Sequence, residues 1–196
     1  VPTLSFVATA NAVVHAGAVP HFVDVSELTL GMDWRKLQSH LEKTAILRRG
    51  AGAVNSETGR RISAVVPMHT FGCPVDILPL LSVCDEWGIS VVEDAAEALG
   101  SSYAGRPCGG FGLVSALSFN GNKIITTGGG GAIVTNEEDI ARRAKHITTT
   151  AKMPHEWEFY HDEVGFNYRM PSLNAALGCA QFEQLENRLQ EKRVLA

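Results

Sequence analysis

Ile89-Ser90-Val91-Val92-Glu93, followed by Asp94-Ala95-Ala96-Glu97, decides the fold. The first five residues form a short, near-continuous apolar run. That is the pattern of a strand buried on both faces, as in a parallel sheet. Immediately upstream, Ile77, Leu80, Leu81, Cys84 and Trp87 recur at helical spacing, with Asp76 placed to cap that helix and Gly88 to end it.

The alternation continues in both directions. Upstream, residues 62–68 read as an apolar strand and 47–61 as a polar, Gly-rich loop with a turn at Glu57-Thr58-Gly59. Before these come a helix capped by Asp33 and carrying Trp34, Leu37 and Leu41, a strand over 20–25 and a short helix over 6–16. Downstream, residues 114–119 read as a strand, 128–131 as a flexible glycine loop, 132–135 as a strand and 137–149 as a helix, acidic at its start and basic further on. Residues 152–168 are irregular and rich in His and aromatics, and Pro171 suits the first residue of a long helix to about Lys192. Strands alternating with helices specify an α/β layered architecture. The sequence opens and stops inside patterned segments, so it is expected to be a piece of a longer chain.

Bulk composition narrows the function classes. The chain has 196 residues, 45% hydrophobic and 19% charged, enough for one domain with a substantial core. A net charge of −4 gives no electrostatic reason to expect nucleic acid or an anionic membrane as partner. The apolar runs are strand-sized, far short of the roughly 20 residues that span a bilayer, and no secretory leader pattern is present. Cys73, Cys84, Cys108 and Cys179 form no C-x-x-C pair and read as reduced, buried thiols of a cytosolic protein.

Ligands of parallel α/β sheets gather beyond the carboxyl ends of the strands. The residues there are His69-Thr70-Phe71-Gly72, Asp94-Ala95-Ala96-Glu97 and Asn120-Gly121-Asn122-Lys123. Lys123 differs from the other five lysines, which lie on charged helix faces or polar loops; it sits between an apolar strand and a glycine run. In a partly desolvated pocket its neutral amine could attack a carbonyl, and on an open loop it would be a solvated cation. Asp94, after a buried strand, needs a cationic or hydrogen-bonding partner. A protonated pyridine nitrogen would serve, and so would the first turn of a following helix. The glycines at 128–131 precede a strand and lack the order G-x-x-x-x-G-K-[ST], which excludes a P-loop, and no G-x-G-x-x-G follows the first strand. His155, His161, Asp162 and Glu163 are metal-ligand types without a metal-site spacing.

Four strings in order complete the reading: Phe6-Val7-Ala8-Thr9-Ala10-Asn11, Glu93-Asp94-Ala95-Ala96-Glu97-Ala98, the run from Ser118 through Lys123 to Gly131, and Gly165-Phe166-Asn167-Tyr168-Arg169-Met170. Together they resemble the DegT/StrS-type sugar aminotransferases, a family dependent on pyridoxal 5'-phosphate (PLP). The resemblance implies a three-layer α/β/α fold with a mostly parallel sheet, the fold type I large domain. Residues 1–196 would be an incomplete part of that domain, without the N-terminal segment and the C-terminal small domain. It implies that Lys123 carries the cofactor and transfers protons, that Asp94 pairs with the pyridine nitrogen, and that Glu97, at a position often Gln in the family, lies by the ring oxygen. Ser118 would contact the phosphate, Phe6 would stack on the ring, and Asn167, with Arg169 close by, would reach the phosphate in a neighbouring subunit. The implied protein is a cytoplasmic homodimer with shared active sites. Its implied substrates are a nucleotide-linked keto-sugar and glutamate, with neither nucleic acid nor membrane as partner. The Asn-Gly-Asn-Lys string most resembles enzymes that aminate C4 of UDP-linked 4-keto-6-deoxy-N-acetyl sugars on bacillosamine and legionaminic acid routes. Relatives with His at the position of Lys123 are dehydratases, so a dehydratase and a non-catalytic regulatory paralogue are the rival readings.

Overall fold

The computed structural model describes residues 1–195, which form two compact units, one over residues 1–117 and one from residue 118 onward. In the first unit, α1 (Val7–His15) and α2 (Trp34–Thr44) fall where the apolar spacing places them. Asp33 caps α2, accepting the N–H groups of Arg35 and Lys36, while Leu37 and Leu41 are buried. The predicted strand over 20–25 is reduced to isolated bridges, Pro2 with Val23 and Val25 with Met32. Val23 bonds the backbone of Val1 and Thr3, but at Val25 side chains intervene: Asp24 takes the Val25 N–H, and the Lys36 ammonium takes the Val25 carbonyl. Pro20 has no N–H to offer a ladder.

The expected loop over 47–61 is largely an antiparallel hairpin, β1 (Ala45–Arg48) with β2 (Gly52–Asn55), because Ile46 and Leu47 pair in register with Val54 and Ala53. The turn that follows is held by the Asn55 side chain, which accepts the N–H groups of Glu57 and Thr58. β3 is only Ala64–Val65, shorter than the expected 62–68, since Pro67 cannot donate to a ladder. The run resumes at Met68, which bridges Asp94.

α3 (Ile77–Glu86) buries Ile77, Leu80, Val83 and Cys84 and closes at Gly88, whose φ of 61° is the left-handed conformation of a helix stop. Asp76 does not cap it. Its carboxylate is drawn away by the Trp34 indole N–H at 3.1 Å and by the Tyr103 hydroxyl. β4 (Ser90–Asp94) pairs parallel with β3 on one side and with β7 (Val114–Ser118) on the other. A small antiparallel pair, β5 (Ser102–Tyr103) with β6 (Arg106–Pro107), lies between them in sequence. The α2 and α3 faces, Val65 and Val91 close one apolar core with Val23, Met32 and Val75.

The second unit contains β8 (Gly131–Val134), α4 (Glu138–Thr148), α5 (Ser172–Phe182) and α6 (Leu185–Leu195). The single helix expected from Pro171 to Lys192 is two. The break falls at Glu183-Gln184, where the Gln184 N–H bonds Gln181, only three residues back. Pro171 is the residue before α5 rather than its first. Residues 152–168 have no regular structure beyond the bridge of Lys152 with His161, and Thr149 bridges Asn167. Among the described residues no helix is long and apolar enough to cross a membrane. The cysteines are free, but only Cys84 and Cys108 are buried; Cys73 and Cys179 are exposed. Burial pushes the Cys84 thiol up to about 12 and the Cys108 thiol up to about 11.

Candidate active site

In the first unit, the carboxyl ends of β3 and β4 meet where Met68 bridges Asp94. Asp94 is fixed there by its backbone and its side chain. Its N–H donates to the Pro67 carbonyl at 2.8 Å, and its carbonyl accepts the His69 N–H at 3.1 Å. Its Oδ2 accepts the Thr9 hydroxyl at 2.6 Å, and its Oδ1 accepts the Ala96 N–H at 3.2 Å. No helix follows Asp94, which removes the capping reading. Nor does it join an ion pair among the described residues, so a half-buried carboxylate keeps lone pairs for a cationic partner.

Glu97, three residues on, accepts the Phe71 N–H at 2.9 Å. Phe71 sits in a 3₁₀ turn (Thr70–Gly72) with φ of 55°, a left-handed conformation strained for an aromatic residue, and its ring is exposed. Phe6 is the residue before α1, and it is 69% exposed. One helical turn later, Thr9 is buried and ties α1 to Asp94.

Behind Asp94 the neighbouring side chains point into the core. Glu93 is fully buried and receives four donors: the His69 ring and the N–H groups of Gly109, Phe111 and Gly112. Burial alone would push its carboxyl up, but the His69 bond and the three backbone N–H groups outweigh that and hold it below the usual carboxylate value.

In the second unit, Ser118 closes β7, and its Oγ accepts the Asn120 N–H at 3.3 Å. The Asn120 carbonyl then accepts the Lys123 N–H at 3.1 Å, making a turn with Lys123 half-buried at its end. The chain is fastened again after Lys123. The Thr126 hydroxyl and the Thr127 N–H both donate to the Phe119 carbonyl at 3.0 Å. The Gln181 side chain of α5 accepts the Thr126 N–H, and the Asn174 side chain donates to the Thr127 carbonyl. Ser118 and Lys123 are therefore the two ends of a small loop clamped on both sides. Asn167 and Arg169 are exposed, on a segment held to the end of α4 by the N–H groups of Phe166 and Tyr168.

The four metal-ligand types at 155–163 do not converge. His155 Nδ1 accepts the N–H groups of Trp157 and Glu158, and His161 bonds the Thr150 carbonyl. Asp162 and Glu163 gather instead with His146, and Arg143 already neutralises Glu163.

Three residues of these sites have partners that the sequence did not reveal. Thr9 stands in a helical pattern without any sign that its hydroxyl would face a carboxylate. His69 and Glu93 lie at strand ends, and nothing local says that they pair.

The sequence profile of the DegT/DnrJ/EryC1/StrS aminotransferase family matches residues 1–196. Two GDP-perosamine synthases are each 36% identical. That of Escherichia coli O157:H7 aligns with 100% of this chain and 49% of its own length, and that of Caulobacter vibrioides with 96% and 46%. PseC of Helicobacter pylori, an aminotransferase involved in the biosynthesis of pseudoaminic acid, superposes with a TM-score of 0.80 at 28% identity, over 94% of this chain and 46% of its own. The chain thus spans about half the length of the relatives it matches, and the shared fold is the α/β type I fold expected above.

Proposed function

Because the chain belongs to the DegT/DnrJ/EryC1/StrS aminotransferase family, whose cofactor is pyridoxal phosphate, we propose that the protein carrying it is a nucleotide-sugar aminotransferase. The reaction we assign converts a nucleotide-linked 4-keto-6-deoxy sugar to the 4-amino sugar, with glutamate as amino donor, for a surface polysaccharide or glycan. The observation that carries this reading is a lysine, not a histidine, at position 123, inside a match that runs the length of the chain.

The residues present fit the cofactor. Asp94 offers a carboxylate with free lone pairs, Lys123 an amine on a clamped turn, Ser118 a hydroxyl for an anion, and Phe6 an exposed aromatic residue. When bound, pyridoxal phosphate supplies an electron sink for the carbanion formed at a substrate carbon. In this reading Lys123 Nζ holds the cofactor and then moves a proton to and from the substrate carbon, a contribution of roughly 10²–10⁴-fold in rate. Asp94 holds the proton on the ring nitrogen, Ser118 orients the phosphate, Phe6 covers the ring, and Glu97 lies by the ring oxygen. Asn167 serves the phosphate of a second subunit in a homodimer with shared sites. The exposed aromatics Phe166 and Tyr168 on either side of it in the chain support a covered surface of this kind.

Borohydride reduction of the full-length protein, followed by peptide mapping, tests the reading. The pyridoxyl label is expected on the peptide that contains Lys123; a label on any other lysine refutes it. Incubation with glutamate and the keto-sugar should yield an amino sugar, whereas a deoxy product would establish the dehydratase.

A further inference from the structure

Ser5, Thr9 and Asp94 form a chain of hydroxyls ending on a carboxylate. Ser5 Oγ lies 2.8 Å from Thr9 Oγ1, which donates to Asp94 Oδ2 at 2.6 Å. Thr9 is buried on the first turn of α1, where a threonine hydroxyl commonly bonds the carbonyl of its own preceding turn. Here it leaves that partner for a residue 85 positions away. A hydroxyl has one proton to give. Donation to Asp94 leaves Thr9 Oγ1 an acceptor, and the Ser5 hydroxyl fills that vacancy. Because each bond polarises the next, such chains are stiffer than single contacts.

We propose that Ser5 and Thr9 are positioning residues that fix the plane of the Asp94 carboxylate, and through it the protonation of the cofactor's ring nitrogen. The inference rests on the assignment of Asp94 to that nitrogen. The Ala96 N–H holds Oδ1 and Thr9 holds Oδ2, so the carboxylate has one orientation in which its remaining lone pairs face a ligand. Without the hydroxyl, the carboxylate can rotate away from the ring nitrogen, and the ring spends less time as a cation. With that nitrogen less often protonated, the bound cofactor's absorbance band would titrate at higher pH.

The test is a spectrophotometric pH titration of the full-length holoenzyme, read at the cofactor's absorbance band. Thr9→Val, which removes only the hydroxyl, is expected to move the midpoint upward by about half a pH unit or more, and Thr9→Ser to restore it. Ser5→Ala should move it the same way by less, and it carries the test if Thr9→Val does not fold. Asp94→Asn separates the two levels of the argument. A shift in Asp94→Asn without one in Thr9→Val or Ser5→Ala overturns the relay and leaves the ring-nitrogen assignment standing. An unmoved midpoint in Asp94→Asn overturns that assignment itself.

Discussion

His69 and Glu93 face each other across 3.0 Å with both side chains fully buried, and the tautomer of the histidine follows from its other nitrogen. His69 Nδ1 accepts the Val75 N–H at 3.2 Å, so the ring proton sits on Nε2 and is donated to Glu93. With the N–H groups of Gly109, Phe111 and Gly112, it gives the Glu93 carboxylate four donors. This clamp fixes the residue directly before Asp94, and so the register in which Asp94 reaches the end of β4.

The clamp makes stability dependent on acid. The Glu93 carboxyl is held below its ordinary value of 4.5 in the folded state. Its contribution is therefore fully present above about pH 4.5 and is lost as pH falls through the lower folded value. Glu93→Gln, which sets an amide N–H₂ against backbone donors, should cost on the order of 3 kcal/mol at neutral pH and flatten that acid limb. Urea denaturation at pH 7 and between pH 3 and 5 measures both effects; an unchanged acid limb would remove Glu93 from this role.

Asp76 ties three separate segments, with the Trp34 indole on one oxygen and the Tyr103 hydroxyl on the other. That bond to Asp76 raises the Tyr103 phenol above its ordinary value. Asp76→Ala should lower thermal stability by roughly 1.5–3 kcal/mol, since two donors lose a charged acceptor. It should also bring the most resistant of the tyrosine transitions in an ultraviolet pH titration back toward normal. Stability equal to the parent's would mean that solvent replaces the carboxylate without loss.

Gly165 marks a backbone crossing. A Cβ there would lie 2.5 Å from Ala151 N and from the Thr150 carbonyl carbon, closer than any side-chain adjustment can relieve. Gly165→Ala is expected to destabilise the second unit by about 1–3 kcal/mol or more and to detach the segment bearing Asn167. Gly121, in the turn before Lys123, has nothing within 4 Å of its Cβ position, and Gly121→Ala should leave the melting temperature nearly unchanged. Paired thermal melts decide; equal losses in the two variants would contradict the crossing.

The apolar spacing made the helices legible. Leu37 and Leu41 mark α2, and Ile77, Leu80 and Cys84 mark α3, because burial of one helical stripe depends on local order alone. The boundaries that failed are those decided by distant partners. Asp76 has the residue type and position of a cap, but a tryptophan and a tyrosine remote in sequence hold its carboxylate. The strand over 20–25 shrank to single bridges with Pro2 and Met32, and the hairpin of β1 and β2 appeared because two half-apolar runs found a register. The site divides in the same way. Asp94 and Lys123 stood out by residue type and place, and Glu97 and Ser118 only by the resemblance, whereas Thr9 and His69 bond partners 85 and 24 positions away.

Lys123 ends a turn anchored by the Asn120 carbonyl on one side and by the Phe119, Gln181 and Asn174 bonds on the other. None of those anchors uses its side chain, so Lys123→Ala should keep the fold, with a far-ultraviolet spectrum matching the parent. In the full-length protein, turnover of glutamate with a nucleotide-linked keto-sugar should fall by about 10⁴-fold or more. On the proposed assignment, both the amine that would hold the cofactor and the base that would move the substrate proton are removed together. Cofactor added to the variant should remain reversibly bound and be lost on dialysis. Turnover within tenfold of the parent would mean that another amine performs the chemistry, and it would remove position 123 from the mechanism.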